Sequence, residues 1–180
     1  MILTVMSILS GAAAPAVNDY VEQAKLVRAS HDVRTLSVSL ARLFNDTAAE
    51  KGIEKGWGTY DLLVGAGAVP RVDGRGTEPW AAPVGASVGL LDDQLITNGA
   101  GYAIHRGSAA SGWRGAYLEQ AIGSDPWGQR YAVNMKATKT GGADVVVVSA
   151  GPDGVLESLF EVDGLPTRGD DVVSLVSSGR

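Results

Sequence analysis

Cysteine is absent from the 180 residues, so disulfides, thiolate nucleophiles and cysteine-ligated zinc are all excluded. The cellular compartment stays open, because many envelope proteins also lack cysteine. Aromatic side chains make up only 6% of the chain. The apolar content therefore comes largely from alanine and valine, and the core is expected to be thin for the length. Basic residues are in deficit, 15 Lys and Arg against 20 Asp and Glu, for a formal net charge of -5. That balance argues against a nucleic-acid partner, whose phosphates are held by Lys and Arg that displace counterions. Only two histidines occur, His31 and His105. Neither has the spacing of a metal-ligand pair, and no serine is placed recognisably for a His-assisted nucleophile, so no enzyme is expected. The length suits one domain.

What is present begins with residues 1–17, MILTVMSILSGAAAPAV, which contain no charged side chain. This run is slightly shorter than the ~20 apolar residues that cross a bilayer as helix. A cleaved secretory signal is the rival reading, with AAA before Pro15 as its cleavage site, but no basic residues precede the apolar part. The continuation decides against it. Val17, Tyr20, Val21, Ala24, Val27, Val33, Leu36, Leu40, Leu43 and Phe44 recur at helical spacing. Glu22 with Lys25 and Arg28 with Asp32 supply pairs on the solvated back. One rod is expected, ending near Lys51 and Gly52 and reaching about 75 Å at 1.5 Å per residue. Gly11 and Pro15 are expected to kink it, because proline removes a backbone donor and crowds the preceding turn.

Residues 53–111 show no strong periodicity and read as a loop-rich region with one or two short helices or strands. VGAGAV at 64–69 lacks the complete glycine pattern of a phosphate loop. From residue 112 the pattern becomes strands and turns. Asp125, Pro126, Trp127 and Gly128 form a type I turn signature. It precedes a strand in which Tyr131, Val133 and Met135 face one way and Arg130, Ala132, Asn134 and Lys136 the other, with one wet side. Residues 139–142, KTGG, read as a hairpin connection, and 144–149, DVVVVS, as a more buried strand. A second turn at 151–154, an irregular strand at 155–162 and a last strand at 171–176 complete an antiparallel meander. The fold class is α+β, with a long N-terminal helix laid on a C-terminal antiparallel sheet. The organisation is 1–17 apolar segment, 18–52 amphipathic spine, 53–111 variable region and 112–180 sheet head.

AAAPAVNDYVEQAKLVRASHDVRTLSVSLARL resembles the N-terminal helix of the type IV pilin superfamily. GWRGAYLEQAIGSDPWGQRYAV at 112–133, and VVVVSAGPDG followed by GDDVV, resemble the major pseudopilin (G subunit) of bacterial type II secretion systems. The resemblance implies a non-enzymatic subunit that assembles through its helix, with copies of itself and other pseudopilins, into a periplasmic pseudopilus. It also implies a single-pass anchor in the inner membrane, contact with the inner-membrane secretion machinery, methylation, and a prepilin leader upstream of Met1. A type IV pilin or minor pilin serving adhesion, motility or DNA uptake is the nearer alternative, although the usual C-terminal disulfide of type IV pilins is impossible here. A secreted enzyme or binding domain is the more distant one.

The same resemblance implies calcium between two C-terminal loops. Asp153 and Asp170 or Asp171 are the carboxylate ligands it points to, with Ser149 near the site. Loops rich in Asp and Gly supply the several oxygens a hard cation needs. Glu157, Glu161 and Asp163 lie where they add a ligand or displace the site. The plain alternative is that Asp153 is a turn residue and Asp170 and Asp171 begin a solvated strand. Trp113 and Trp127 suit either ligand stacking or, more commonly, anchoring a loop against the helix.

Overall fold

The computed structural model describes residues 2–107, 111–140, 144–160, 164 and 168–176; the side chains of residues 2–16 and 140 lie outside that set. Helix α1 runs from Ile2 to Asp46. The kink expected at Gly11 and Pro15 falls where side chains are not described, and the helical assignment is continuous across both. Both expected pairs form on its solvent side, Lys25 Nζ to Glu22 Oε1 at 2.8 Å and Arg28 Nε to Asp32 Oδ2 at 3.6 Å. Among the described residues no helix is long and apolar enough to cross a membrane.

The helix stops five residues before the expected Lys51. Thr47 Oγ1 donates back to the Leu43 carbonyl at 2.6 Å and accepts from Trp57 Nε1 at 3.0 Å. Trp57 is thereby set against Phe44, ring centroids 4.4 Å apart. Packing of this tryptophan, rather than a glycine cap, turns the chain into a 3-10 turn at Ala48–Glu50.

Among the described residues seven strands follow: β1 Leu62–Val64, β2 Arg71–Val72, β3 Val88–Leu90, β4 Ala132–Asn134, β5 Val146–Ser149, β6 Val155–Leu156 and β7 Val172–Leu175. Short helices α2, Leu91–Leu95, and α3, Ala137–Thr140, complete the set. The main sheet has the order β3-β1-β4-β5-β7, antiparallel except for the β1–β3 pair. The class is α+β as expected, but the sheet is no simple meander. Two of its five strands come from the region read as loop-rich, where runs of three residues are too short to show a period. The expected hairpin at 139–142 is also corrected in part, since α3 occupies 137–140 between β4 and β5. Of the strand expected at 155–162, the described residues form only β6, which pairs in parallel with β2 in a second, two-stranded sheet, and residues 161 and 162 lie outside the described set.

The upper half of α1 covers one face of the main sheet. Val33, Leu36, Leu40 and Leu43 bury there with Leu63, Tyr131, Val133, Met135 and Val147. Tyr131 OH reaches Asp32 Oδ2 at 2.9 Å and fixes the helix against the sheet, and burial raises the tyrosine's pKa well above its ordinary value. Full burial of one such leucine stabilises by about 2 kcal/mol. The opposite face is not wet. Leu62, Val64, Ala132, Val146 and Val148 meet Trp80, Leu156 and Phe160, so both faces of β4 are buried. Asn134, expected at the surface, is almost fully enclosed. It is satisfied by donating to Phe160 O at 2.8 Å and Asp144 O at 3.1 Å and accepting from Val146 N at 2.6 Å. In contrast, the lower stripe of α1 stays open, with Val17, Tyr20, Val21 and Val27 at 56, 72, 47 and 70% exposure.

Candidate metal centre

The two loops flanking β5 and β7 meet back to back. Gly151 has φ 66°, and a Cβ there would stand 2.4 Å from the Asp170 carbonyl oxygen. Gly169, at φ 60°, lies under the Glu157 carboxylate so closely that an added Cβ would fall 1.1 Å from its Oε2. Glycine at both positions lets the backbones approach and leaves the carboxylates turned inward. As a result Asp153, Glu157 and Asp170 each bring a carboxylate oxygen to within 4.8 Å of the others.

Electrostatics at this point are strained. Partial burial raises the Asp170 pKa above its ordinary value, and the neighbouring Asp153 charge raises it further. Asp170 Oδ1 is buried without a hydrogen-bond partner. Three converging carboxylates with one orphaned oxygen form a donor set that a hard, oxygen-preferring cation fits, since it would relieve both the repulsion and the missing bond. Glu161 and Asp163 lie outside the described residues.

Asp171 and Ser149 stand in different positions from their neighbours in sequence. Asp171 Oδ2 accepts the backbone N–H groups of Glu157 at 3.0 Å and Ser158 at 2.6 Å. Burial pushes its pKa up to about 6 against the opposing effect of those bonds. It therefore holds the loop's backbone, a role invisible in the GDDVV spacing. Ser149 Oγ donates to Asp125 Oδ2 at 2.6 Å and accepts from Gly151 N at 3.3 Å, tying the loop to the preceding turn.

That turn closes with Gly128 N to Asp125 O at 3.0 Å, and Gly128 has φ 90°. Asp125 Oδ1 accepts from Trp127 N at 3.0 Å and Gln129 N at 2.8 Å. Pro126 sits at the second position of the turn, where its fixed φ suits the geometry. Trp127 reaches α1, and Trp113 lies in the core, stacked near-parallel to Tyr102 and edge-on to Tyr117. His31 borders an open groove of about 600 Å³ lined also by Thr35, Ser39 and Tyr117, and the Ser39 hydroxyl is committed to the Tyr117 carbonyl. His105 lines a separate depression beside Trp113.

Residues 98–159 match the family model of Type II secretion system (T2SS), protein G. The match takes in Trp113, the Asp125 turn, Ser149, Asp153 and Glu157, and it ends before Asp170. No curated protein and no solved structure matches the chain. The likeness to the major pseudopilin is thus shown over the part of the chain that carries both turns and the first of the two loops.

Proposed function

We propose that this chain is a non-enzymatic pseudopilin that assembles through α1 into the periplasmic pseudopilus of a type II secretion system. The observation that carries the reading is the family match over residues 98–159. The open stripe of Val17, Tyr20, Val21 and Val27 supports it, because it continues the core-facing stripe of α1 beyond the subunit's own sheet. A heterologous contact repeated along an axis grows a filament rather than a closed ring. Residues 1–17 would hold the stored subunit in the inner membrane before assembly, and other pseudopilins and the inner-membrane secretion machinery are the partners.

In the same reading Asp153, Glu157 and Asp170 hold calcium, which would join the two C-terminal loops in a chain that has no disulfide to do so. Asp171 and Ser149 position the loop instead of ligating.

Because the chain has no cysteine, a paired Val21→Cys and Val27→Cys substitution on the stripe gives a clean cross-linking assay in a bacterium carrying a complete type II secretion apparatus. Oxidation should yield a ladder of linked multimers, because each subunit can then link to two neighbours, and no linked species from Val84→Cys in the head. Monomer alone from the stripe pair would remove the filament reading. Calcium is checked apart from this, by titration calorimetry of the purified protein and of Asp153→Ala.

A further inference from the structure

We infer that residues 65–83 form a clasp that keeps the 151–160 loop in its ligand-presenting shape whether or not a cation is bound, with Arg71 and Trp80 as its positioning residues. The inference rests on the calcium reading of Asp153, Glu157 and Asp170. The loop that carries Asp153 and Glu157 is gripped along its length by this segment. β2 pairs with β6 in register Arg71↔Val155 and Val72↔Leu156. Arg71 N donates to Gly154 O at 3.0 Å and Asp73 N to Leu156 O at 3.3 Å. The Arg71 guanidinium reaches over to the carbonyl of Asp153 itself, Nη2 to O 2.9 Å.

Two residues beyond β6, the indole of Trp80 donates to Ser158 O at 2.9 Å. Trp80 is fully buried and meets Phe160 edge-on at 4.7 Å, while Phe160 N donates to Gly76 O at 3.3 Å. The clasp has its own frame. Thr77 Oγ1 donates to Asp73 Oδ1 at 2.7 Å, Arg75 N to the same oxygen at 2.9 Å, and Gly74 N to Thr77 Oγ1 at 3.2 Å. Arg130 Nη2 joins the Trp80 carbonyl to the start of β4 at 3.2 Å.

The consequence is thermodynamic. A loop that must order itself around a cation loses affinity to conformational entropy, whereas one already held does not. On the opposite side Asp171 fixes the amides of Glu157 and Ser158. The bonds made by Arg71 and Trp80 are the counterpart from the clasp. Arg71 also gives the test a sign. Its positive charge, held at the Asp153 carbonyl, opposes a cation bound nearby, so its removal would tighten binding by Coulomb's law alone. Loss of positioning weakens binding.

The experiment is hydrogen exchange read by mass spectrometry on the full chain in EDTA and in calcium, together with calorimetric calcium titration, for the parent protein, Arg71→Ala, Arg71→Lys and Trp80→Phe. The last variant removes the indole donor and keeps a ring in the core. In EDTA the 155–160 amides of the parent should exchange at least tenfold more slowly than an unstructured peptide. Arg71→Ala and Trp80→Phe should lose that protection and bind calcium about three- to tenfold more weakly, with Arg71→Lys restoring most of both. Parent amides that are unprotected until calcium is added overturn the inference, as do variants that bind as tightly as the parent or tighter. Absence of any calcium heat from the parent, with protection intact in EDTA, removes the cation reading and with it the positioning role.

Discussion

Trp127 Nε1 donates a 3.0 Å hydrogen bond to Glu22 Oε2, joining a turn and a helix that are 105 residues apart. Glu22 also holds Lys25, so one exposed carboxylate serves both the helix and the turn that leads into the sheet.

Because that bond is charge-assisted, it leaves a mark on titration. The Glu22 pKa is held below its ordinary value first by Lys25 and then by Trp127. Trp127→Phe should raise it part of the way back, and Lys25→Met should raise it further. Carbon-detected NMR titration of the Glu22 carboxyl reads both, and an unmoved midpoint in Trp127→Phe would show that the indole bond does not persist in solution.

Asp125 is a heavier joint. Its carboxylate is 3% exposed and accepts from Trp127 N, Gln129 N and Ser149 Oγ. Asp125→Ala strands three donors and should cost roughly 3 kcal/mol in urea unfolding, whereas Ser149→Ala should cost about 1 kcal/mol. Equal effects for the two would mean that the Asp125 backbone bonds contribute little.

The two faces of the sheet should answer alike to truncation. Leu40→Ala beneath the helix and Phe160→Ala beneath the clasp each empty a fully enclosed site. About 3 and 4 kcal/mol of destabilisation are expected, by chemical denaturation. A Phe160→Ala loss below about 1 kcal/mol would mean that the second face is only loosely covered.

Asp171 makes stability depend on pH. Its folded pKa, near 6, stands above the ordinary 3.8 because it is buried. Between those values the folded chain retains a proton that the unfolded chain has released. The resulting stabilisation is fully present below about pH 3.8 and is lost as pH rises through about 6. In EDTA, the melting temperature of Asp171→Asn relative to the parent should therefore climb between pH 4.5 and 7.5. A constant difference across that range would place the Asp171 pKa near its ordinary value.

How much of this could be read from residues alone depends on the scale of the signal. The α1 stripe from Val33 to Phe44 spans several turns and was legible, as were the Glu22–Lys25 and Arg28–Asp32 pairs. Leu62–Val64 and Val88–Leu90 are too short to declare a period, so their place in the sheet was not. Asn134 and Ala132 alternate as a wet face would, and only the arrival of Trp80 and Phe160 from distant segments makes that face dry. At the candidate centre, Asp153 and Asp170 or Asp171 are named through the family resemblance, and Glu157 only as a residue that adds a ligand or displaces the site. The divergence of Asp170 and Asp171 could not be read, because adjacent residues point to different sides of the chain and nothing in GDDVV says which of them meets the carboxylates of Asp153 and Glu157 and which meets the backbone.

The strand order β3-β1-β4-β5-β7 also sets a timetable. No two neighbours in it are joined by a two-residue hairpin, and β7, the last of the described strands, closes on β5 and lies against α1 from near the beginning. Loop closure over such separations comes before its reward, which places folding among the slower topologies, milliseconds to seconds. A growing chain cannot complete this sheet until Leu175 has been made. The sheet therefore becomes rigid only at the end of its own synthesis.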